Sequence, residues 1–246
     1  MYEIIFTDYS SYKFYNIKNL NFIKTENIIK LNLNNGYNQK KLTHIPDLNN
    51  FVNLEILYCS DNLITKLPNL PNKLTDLRCN GNKLTELPDL SQCINLKELF
   101  CYNNELTELP NLPRNLIYLF CYHNKLKLLP DLSQLINLKD LSCNNNQLTK
   151  LPILPNNLKS LICNNNNLKK LPKLPYNLNT LSYFNNLINI YPKSIIKCKN
   201  LKYYQKYNSY IKLGKLNILL NYTISNYYYY SIIKYYNNTL NLNNIY

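Results

Sequence analysis

The sequence predicts an α/β-type repeat solenoid: a curved array with a parallel sheet on its concave side and a convex side of mostly extended and turn segments in place of full helices. Three observations predict it. A motif L-x-x-L-x-C-x-x-N-x-L-x-x-L-P starts at Leu54 and returns at Leu74, Leu96, Leu116, Leu138, Leu158 and Leu178, in steps of 20, 22, 20, 22, 20 and 20 residues. All 12 prolines obey that frame. Eight close the motif (Pro46, Pro68, Pro88, Pro110, Pro130, Pro152, Pro172 and Pro192), and Pro71, Pro113, Pro155 and Pro175 follow three residues later. Six of the 8 cysteines recur at one place in it: Cys59, Cys79, Cys101, Cys121, Cys143 and Cys163. A unit this short cannot bury its own apolar face, so stacking must supply the core.

The elements follow in chain order. Residues 1–27 are expected to cap the array. Residues 28–200 carry about seven full repeats with partial ends: a leading fragment around Leu31, Leu33, Leu42, Ile45 and Pro46, and a degraded one at Tyr183, Asn186, Ile188, Tyr191 and Pro192. In each unit L-x-C is a short strand whose Leu and Cys face inward, because strand side chains alternate. The Asn column (Asn62, Asn82, Asn104, Asn124, Asn146, Asn166, Asn186) stands where the chain leaves the strand, and a carboxamide there supplies donors and an acceptor to backbone groups that have lost their ladder partners. Proline after the last Leu removes a donor and favours an extended return over a helix. Short units end like Pro110–Asn115, and long ones, like Pro130–Asn137, have two more residues to widen the turn. Residues 201–246 leave the frame but continue apolar (Ile211, Leu213, Leu216, Ile218), as expected of a basic, Tyr/Asn-rich C-terminal cap or tail.

This motif resembles the leucine-rich repeat family over roughly residues 28 to 200, and the short L-P-x-L-P unit is similar to the bacterial-effector type. The resemblance implies a protein-recognition scaffold. Some effectors of that type carry a ubiquitin-ligase domain after the repeats; the resemblance here stops at the repeats, because the last cysteine is Cys198 and little chain follows. The composition has 47 Asn, 47 Leu, 24 Tyr, 26 Lys, 2 Arg and no Ala or Trp. It resembles leucine-rich repeat proteins of giant amoebal DNA viruses of the mimivirus kind, or of AT-rich protists.

The cysteines occupy a core column, as does Cys93, which shares the slot of Phe51 and Leu135. Free Cys is a small buried hydrophobe. With no C-x-x-C and only His44 and His123, neither a metal nor a cofactor is expected. Stacked reduced thiols favour the cytoplasm, the host cytoplasm if the gene is viral. No P-loop, G-x-G-x-x-G or G-x-S-x-G occurs, and Cys121 next to His123 belongs to the core column, so enzyme activity is not expected. No apolar run reaches the ~18 residues of a membrane span, and the start MYEIIFTDYS has no basic region of a secretory signal.

Recognition is expected on the concave face. There Phe100, Tyr102, Tyr118, Phe120 and Tyr122 cluster on two adjacent strands, with His123 at the edge and Glu98 and Asp140 as a charged rim. Exposed aromatic groups with such a rim suit a protein partner. AT-rich codon usage is a competing source of these aromatics. The formal net charge is +14, and Asp140 is the last acid: residues 141–246 hold 13 Lys and 15 Tyr with no carboxylate. Lys159, Lys169, Lys170 and Lys173 are the electrostatic contacts expected of this half. Its lysines and aromatics raise the alternative of a nucleic-acid-associated protein, held by phosphate attraction and base stacking.

Overall fold

The computed structural model describes residues 2–17, 20, 23–35 and 40–188, and the backbone of 202–203. The solenoid lies within the unit formed by residues 1–207. One sheet of eleven strands runs through it. In chain order the strands are β1 (Tyr2–Phe6), β2 (Ser11–Phe14), β3 (Ile28–Asn32), β4 (Ile56–Tyr58), β5 (Asp76–Arg78), β6 (Glu98–Phe100), β7 (Tyr118–Phe120), β8 (Asp140–Ser142), β9 (Ser160–Ile162), β10 (Thr180–Ser182) and β11 (Lys202–Tyr203). From β3 to β11 every pairing is parallel and each strand lies beside its successor. Helix is nearly absent from the described residues: a turn of 3₁₀ helix, Thr25–Asn27, precedes β3, and Ile17 and Leu20 are also 3₁₀. No helix of the described residues is long and apolar enough to cross a membrane.

The register is that of the sequence frame. Leu31, Leu57, Leu77, Leu99, Leu119, Leu141, Leu161 and Leu181 pair in line. All face inward and are buried. The six column cysteines are buried and unbridged, and Cys93 is buried in its turn. Burial alone pushes the thiols of Cys59 and Cys121 up to about 12, because a thiolate there would have no solvent.

The Asn column acts as a clamp between units. Asn124 Oδ1 accepts from the Leu106 N–H at 3.0 Å. Its Nδ2 donates to the carbonyls of Cys101, Cys121 and Tyr122 at 3.0, 3.1 and 3.3 Å. Asn82, Asn104, Asn146, Asn166 and Asn186 repeat this pattern. Each carboxamide thus joins the backbone of two neighbouring units, satisfying groups that the end of the strand would leave unpaired.

Immediately before it runs a second column with positive φ: Asp61, Gly81, Asn103, His123, Asn145, Asn165 and Asn185, at 51° to 66°. Asp, Asn and Gly tolerate this left-handed turn better than other residues. The two unit lengths also differ in their return turns. In long units Asp47, Asp89 and Asp131 each accept the backbone N–H two residues on at 2.9 Å. The widened turns leave Val52, Ile94 and Ile136 52%, 63% and 63% exposed.

At the first edge, β1 lies antiparallel between β2 and β3, and Tyr2 packs on Phe14 with ring centroids 5.4 Å apart. A hairpin therefore covers the core edge that the first unit would expose. At the other end β11 pairs with β10 through Thr180–Lys202 and Leu181–Tyr203. The rest of the C-terminal segment, Cys198 and the motif end at Tyr191 and Pro192 lie outside the described residues.

Candidate functional site

Each three-residue strand turns its first and third residues away from the core. Because the units stack in register, residues of one column sit about 4.8 Å apart, close to the spacing at which planar groups stack. In the middle column Arg78 lies over the Tyr58 ring at 4.5 Å and over the Phe100 ring at 4.8 Å. Phe100 stacks on Phe120 at 4.7 Å between centroids, 12° from parallel. Lys30 caps the far side of Tyr58 at 5.1 Å. In the next column Tyr102 stacks on Tyr122 at 4.3 Å and 8°.

The stacking corrects one expectation. Phe100 and Phe120 are not exposed: they retain 4% and 8% of their surface, because each ring shields its neighbour's face. Tyr102, Tyr118 and Tyr122 are half-buried and present their remaining surface to solvent. His123 is exposed. It meets Tyr122 edge-on at 5.6 Å, its Nε2 lies 3.2 Å from the Asn145 amide, and its backbone fills the left-handed column.

The charged rim is more built than the sequence suggested. Tyr58 donates its hydroxyl to Asp76 Oδ2 at 2.7 Å. Arg78 donates Nε to both Asp76 oxygens at 3.2 Å and Nη2 to Glu98 Oε2 at 3.1 Å, and its Nη2 is also ion-paired with Asp76 Oδ2 at 3.0 Å. A planar guanidinium suits this position, because it pairs in its plane while stacking on both faces. Burial, and then Asp76, raises the Tyr58 hydroxyl above its usual range. Burial, and then Asp76, also raises the Glu98 carboxyl, against the pull of Arg78. Asp140 is raised by burial and opposed by nearby Lys159 and Lys139.

Tyr58, Asp76 and Arg78 belong to this site, although sequence reasoning did not select them. A signal was present: Arg78 is one of 2 arginines among 26 lysines, and Asp76, two residues earlier, must share its face. The expected electrostatic residues are not gathered with the rings. Lys159 precedes β9, and exposed Lys169, Lys170 and Lys173 lie on the return segment beyond it. From β8 to β10 the face carries hydroxyls and carboxamides: Ser142 donates to Asn144 at 2.8 Å and Ser182 to Asn164 at 3.1 Å. On the turn, Asn185 donates to Asn165 at 2.8 Å and Asn165 to Asn145 at 2.7 Å. Among the described residues no group of three or more His, Cys, Asp or Glu is arranged to hold a metal ion.

A family model described as leucine-rich repeats, two copies, matches residues 73–114. No curated protein matches the chain. Among solved structures, the chain is similar to YopM from Yersinia enterocolitica, with 32% identity over 66% of this chain and 40% of that one and a TM-score of 0.52. It is also similar to the functional domain of InlJ from Listeria monocytogenes, which includes a cysteine ladder, with 29% identity over 73% of this chain and 39% of that one and a TM-score of 0.65. A third likeness is to a chain of the octameric complex of Latrophilin 3, Unc5D and FLRT2, whose FLRT2 part is a leucine-rich repeat domain. There the identity is 25% over 62% of this chain and 54% of that one, with a TM-score of 0.54. The chain therefore spans roughly two fifths to a little over half of these three chains. Its repeat frame, its in-register Leu and Asn columns and these likenesses together give it the architecture of a leucine-rich repeat array, with the family's own repeat model matching residues 73–114.

Proposed function

We propose that the chain is a non-enzymatic scaffold that binds a protein partner on the concave side of its sheet, across β4 to β8. The observation that carries this reading is the surface formed by Tyr58, Arg78, Glu98, Tyr102, Tyr118, Tyr122 and Asp140 around the buried rings of Phe100 and Phe120. The repeat core requires only the inward Leu, Cys and Asn columns, whereas this face concentrates aromatic and guanidinium groups, the residue types most often found at binding hot spots. The mutual stacking leaves the rings with little rotamer freedom to lose, so docking on them costs less entropy. The reading agrees with the FLRT2 domain, which is found in a complex with other proteins. Six unbridged thiols agree with a reducing compartment, and a viral gene would place the partner in the host cytoplasm.

The alternative of a nucleic-acid partner draws on the acid-free half, where exposed Lys150, Lys159, Lys169, Lys170 and Lys173 offer phosphate contacts. Capture of partners by the purified chain from amoebal lysate, with and without nuclease, separates the two. Under the scaffold reading a partner persists after nuclease, and Tyr118→Ala weakens it by about 30-fold, equivalent to the ~2 kcal/mol of an aromatic anchor. The double variant Lys169→Gln/Lys170→Gln then changes chiefly salt dependence and on-rate. Loss of every partner on nuclease treatment, with retention after Tyr118→Ala, replaces the scaffold by the basic-half reading.

A further inference from the structure

We propose that Glu98, Tyr118 and Asp140 form an acceptor site for an arginine side chain carried by a basic segment of the protein partner. The inference rests on the sheet face being the partner surface and adds the chemistry of what docks there.

The chain already builds one such site and fills it itself. Arg78 lies flat between Tyr58 and Phe100 and is held by Asp76 and Glu98. The neighbouring units place carboxylates around a further aromatic ring, in the column beside it. Glu98, Tyr118 and Asp140 are paired in line on β6, β7 and β8, so two carboxylates flank one half-buried tyrosine, two rungs or roughly 9.6 Å apart at the backbone. Only Oε2 of Glu98 is bonded to Arg78. The Asp140 carboxylate makes no hydrogen bond or ion pair with a described residue, while its backbone N–H donates to the Ile117 carbonyl at 3.3 Å.

Charge points the same way. The outward positions from β3 to β10, with the left-handed column beside them, carry Asp61, Asp76, Glu98 and Asp140 against Lys30 and Arg78. This is a net negative surface on a chain of formal net charge +14. A basic segment is therefore drawn to this face. Arginine is favoured over lysine for two reasons. A guanidinium pairs with a carboxylate in its plane while stacking on a ring. And Lys139 and Lys159, exposed just before β8 and β9, oppose a bare ammonium that has no ring contact to compensate.

The test uses the full chain and fluorescein-labelled (Gly-Ser-Arg)₄, read by fluorescence polarisation at low salt, beside the same peptide with lysine or with neutral citrulline in place of arginine. The arginine peptide is expected to bind about tenfold tighter than the citrulline peptide and about threefold tighter than the lysine peptide. Asp140→Asn is expected to weaken it about tenfold, and Glu98→Gln to weaken it as a second, independent variant. Lys169→Gln/Lys170→Gln should not weaken it. Asp140→Asn breaks no side-chain hydrogen bond among the described residues, so a melting temperature equal to wild type accompanies the loss. Equal affinity for the arginine and citrulline peptides overturns the proposal, as does binding indifferent to both carboxylate variants. The peptide assay needs no natural partner. A lysate partner that depends on Tyr118 without arginine-peptide binding therefore removes this inference and leaves the scaffold reading standing, and arginine-peptide binding with no nuclease-resistant partner does the reverse.

Discussion

Strands β4 to β7 and β8 to β10 share one backbone, one Leu column and one Asn clamp, yet their outer faces differ in kind. On β4 to β7 the columns hold Tyr58, Arg78, Phe100 and Phe120, with Tyr102 and Tyr122 beside them, in a stack of rings and a guanidinium. On β8 to β10 the corresponding positions hold Ser142, Ile162 and Ser182, with Asn144, Asn164 and Phe184 beside them. The inward side of a unit must match its neighbours or the core opens, so it is held constant. The outward side has only to tolerate a spacing of about 4.8 Å, which leaves it free to vary between units and to carry function.

That contrast is open to test, and the largest effect comes from what the two regions share. The thiols of the cysteine column run through both and are raised by burial, Cys59 and Cys121 to about 12 against an ordinary value of 9.0. A raised folded value means that the unfolded chain loses these protons first. Stability should hold below about pH 9 and fall as pH climbs from 9 toward 12, at roughly 1.4 kcal/mol per thiol per pH unit. Denaturant melts across that range measure it. In the native protein below pH 9 the six column thiols should react with a thiol reagent only at the rate of unfolding. Rapid labelling would mean that the register is displaced by one residue.

The next effect belongs to β4 to β7 alone. Arg78→Ala leaves the Asp76 and Glu98 carboxylates without their cation. The Arg78 and Asp76 side chains are only 14% and 11% exposed, so a loss of about 3 kcal/mol is expected in chemical denaturation, near the low end for a broken buried pair. Phe120→Ala should cost about 3 kcal/mol, the low end for truncating a buried phenylalanine. Ser142→Ala, the same column one strand on, loses one buried hydrogen bond to Asn144 and should cost about 1 kcal/mol. Equal costs at Phe120 and Ser142 would erase the distinction between the two regions.

The Asn clamp should not distinguish them. Asn124→Ala and Asn166→Ala each strip the partners from backbone groups of two units, and each should cost about 1–3 kcal/mol. A large difference between the two would mean that the units are not equivalent inside. The smallest effect is expected from Lys169→Gln/Lys170→Gln: both side chains are exposed on the return segment, and melting should move by less than about 0.5 kcal/mol.

Much of this was legible in the chain itself. The Leu, Cys and Asn columns announce themselves by period, and alternation along L-x-C says which of them faces inward. The parallel sheet follows because each unit must stack on the next. The aromatic cluster was legible as a location, since Phe100, Tyr102, Tyr118, Phe120 and Tyr122 fall on outward positions of neighbouring units. Its exposure was misjudged: whether a ring that leaves the core is covered depends on a residue 20 or 22 positions away and on how the two planes lie. The role of His123 was hidden for a related reason, since a positive φ belongs to the backbone and its column also admits Asp, Gly and Asn.

The sequence by itself determined the solenoid, the register and the identity of the core, because those depend on a repeated pattern that burial reads the same way in every unit. Only the tertiary structure decided that Arg78 joins Tyr58, Asp76, Glu98 and Phe100 in one cluster, that Phe100 and Phe120 shield each other, and that Lys169, Lys170 and Lys173 stand apart from the rings. Those outcomes depend on distances of 3 to 5 Å between side chains of different units, and such distances exist only once the units are stacked.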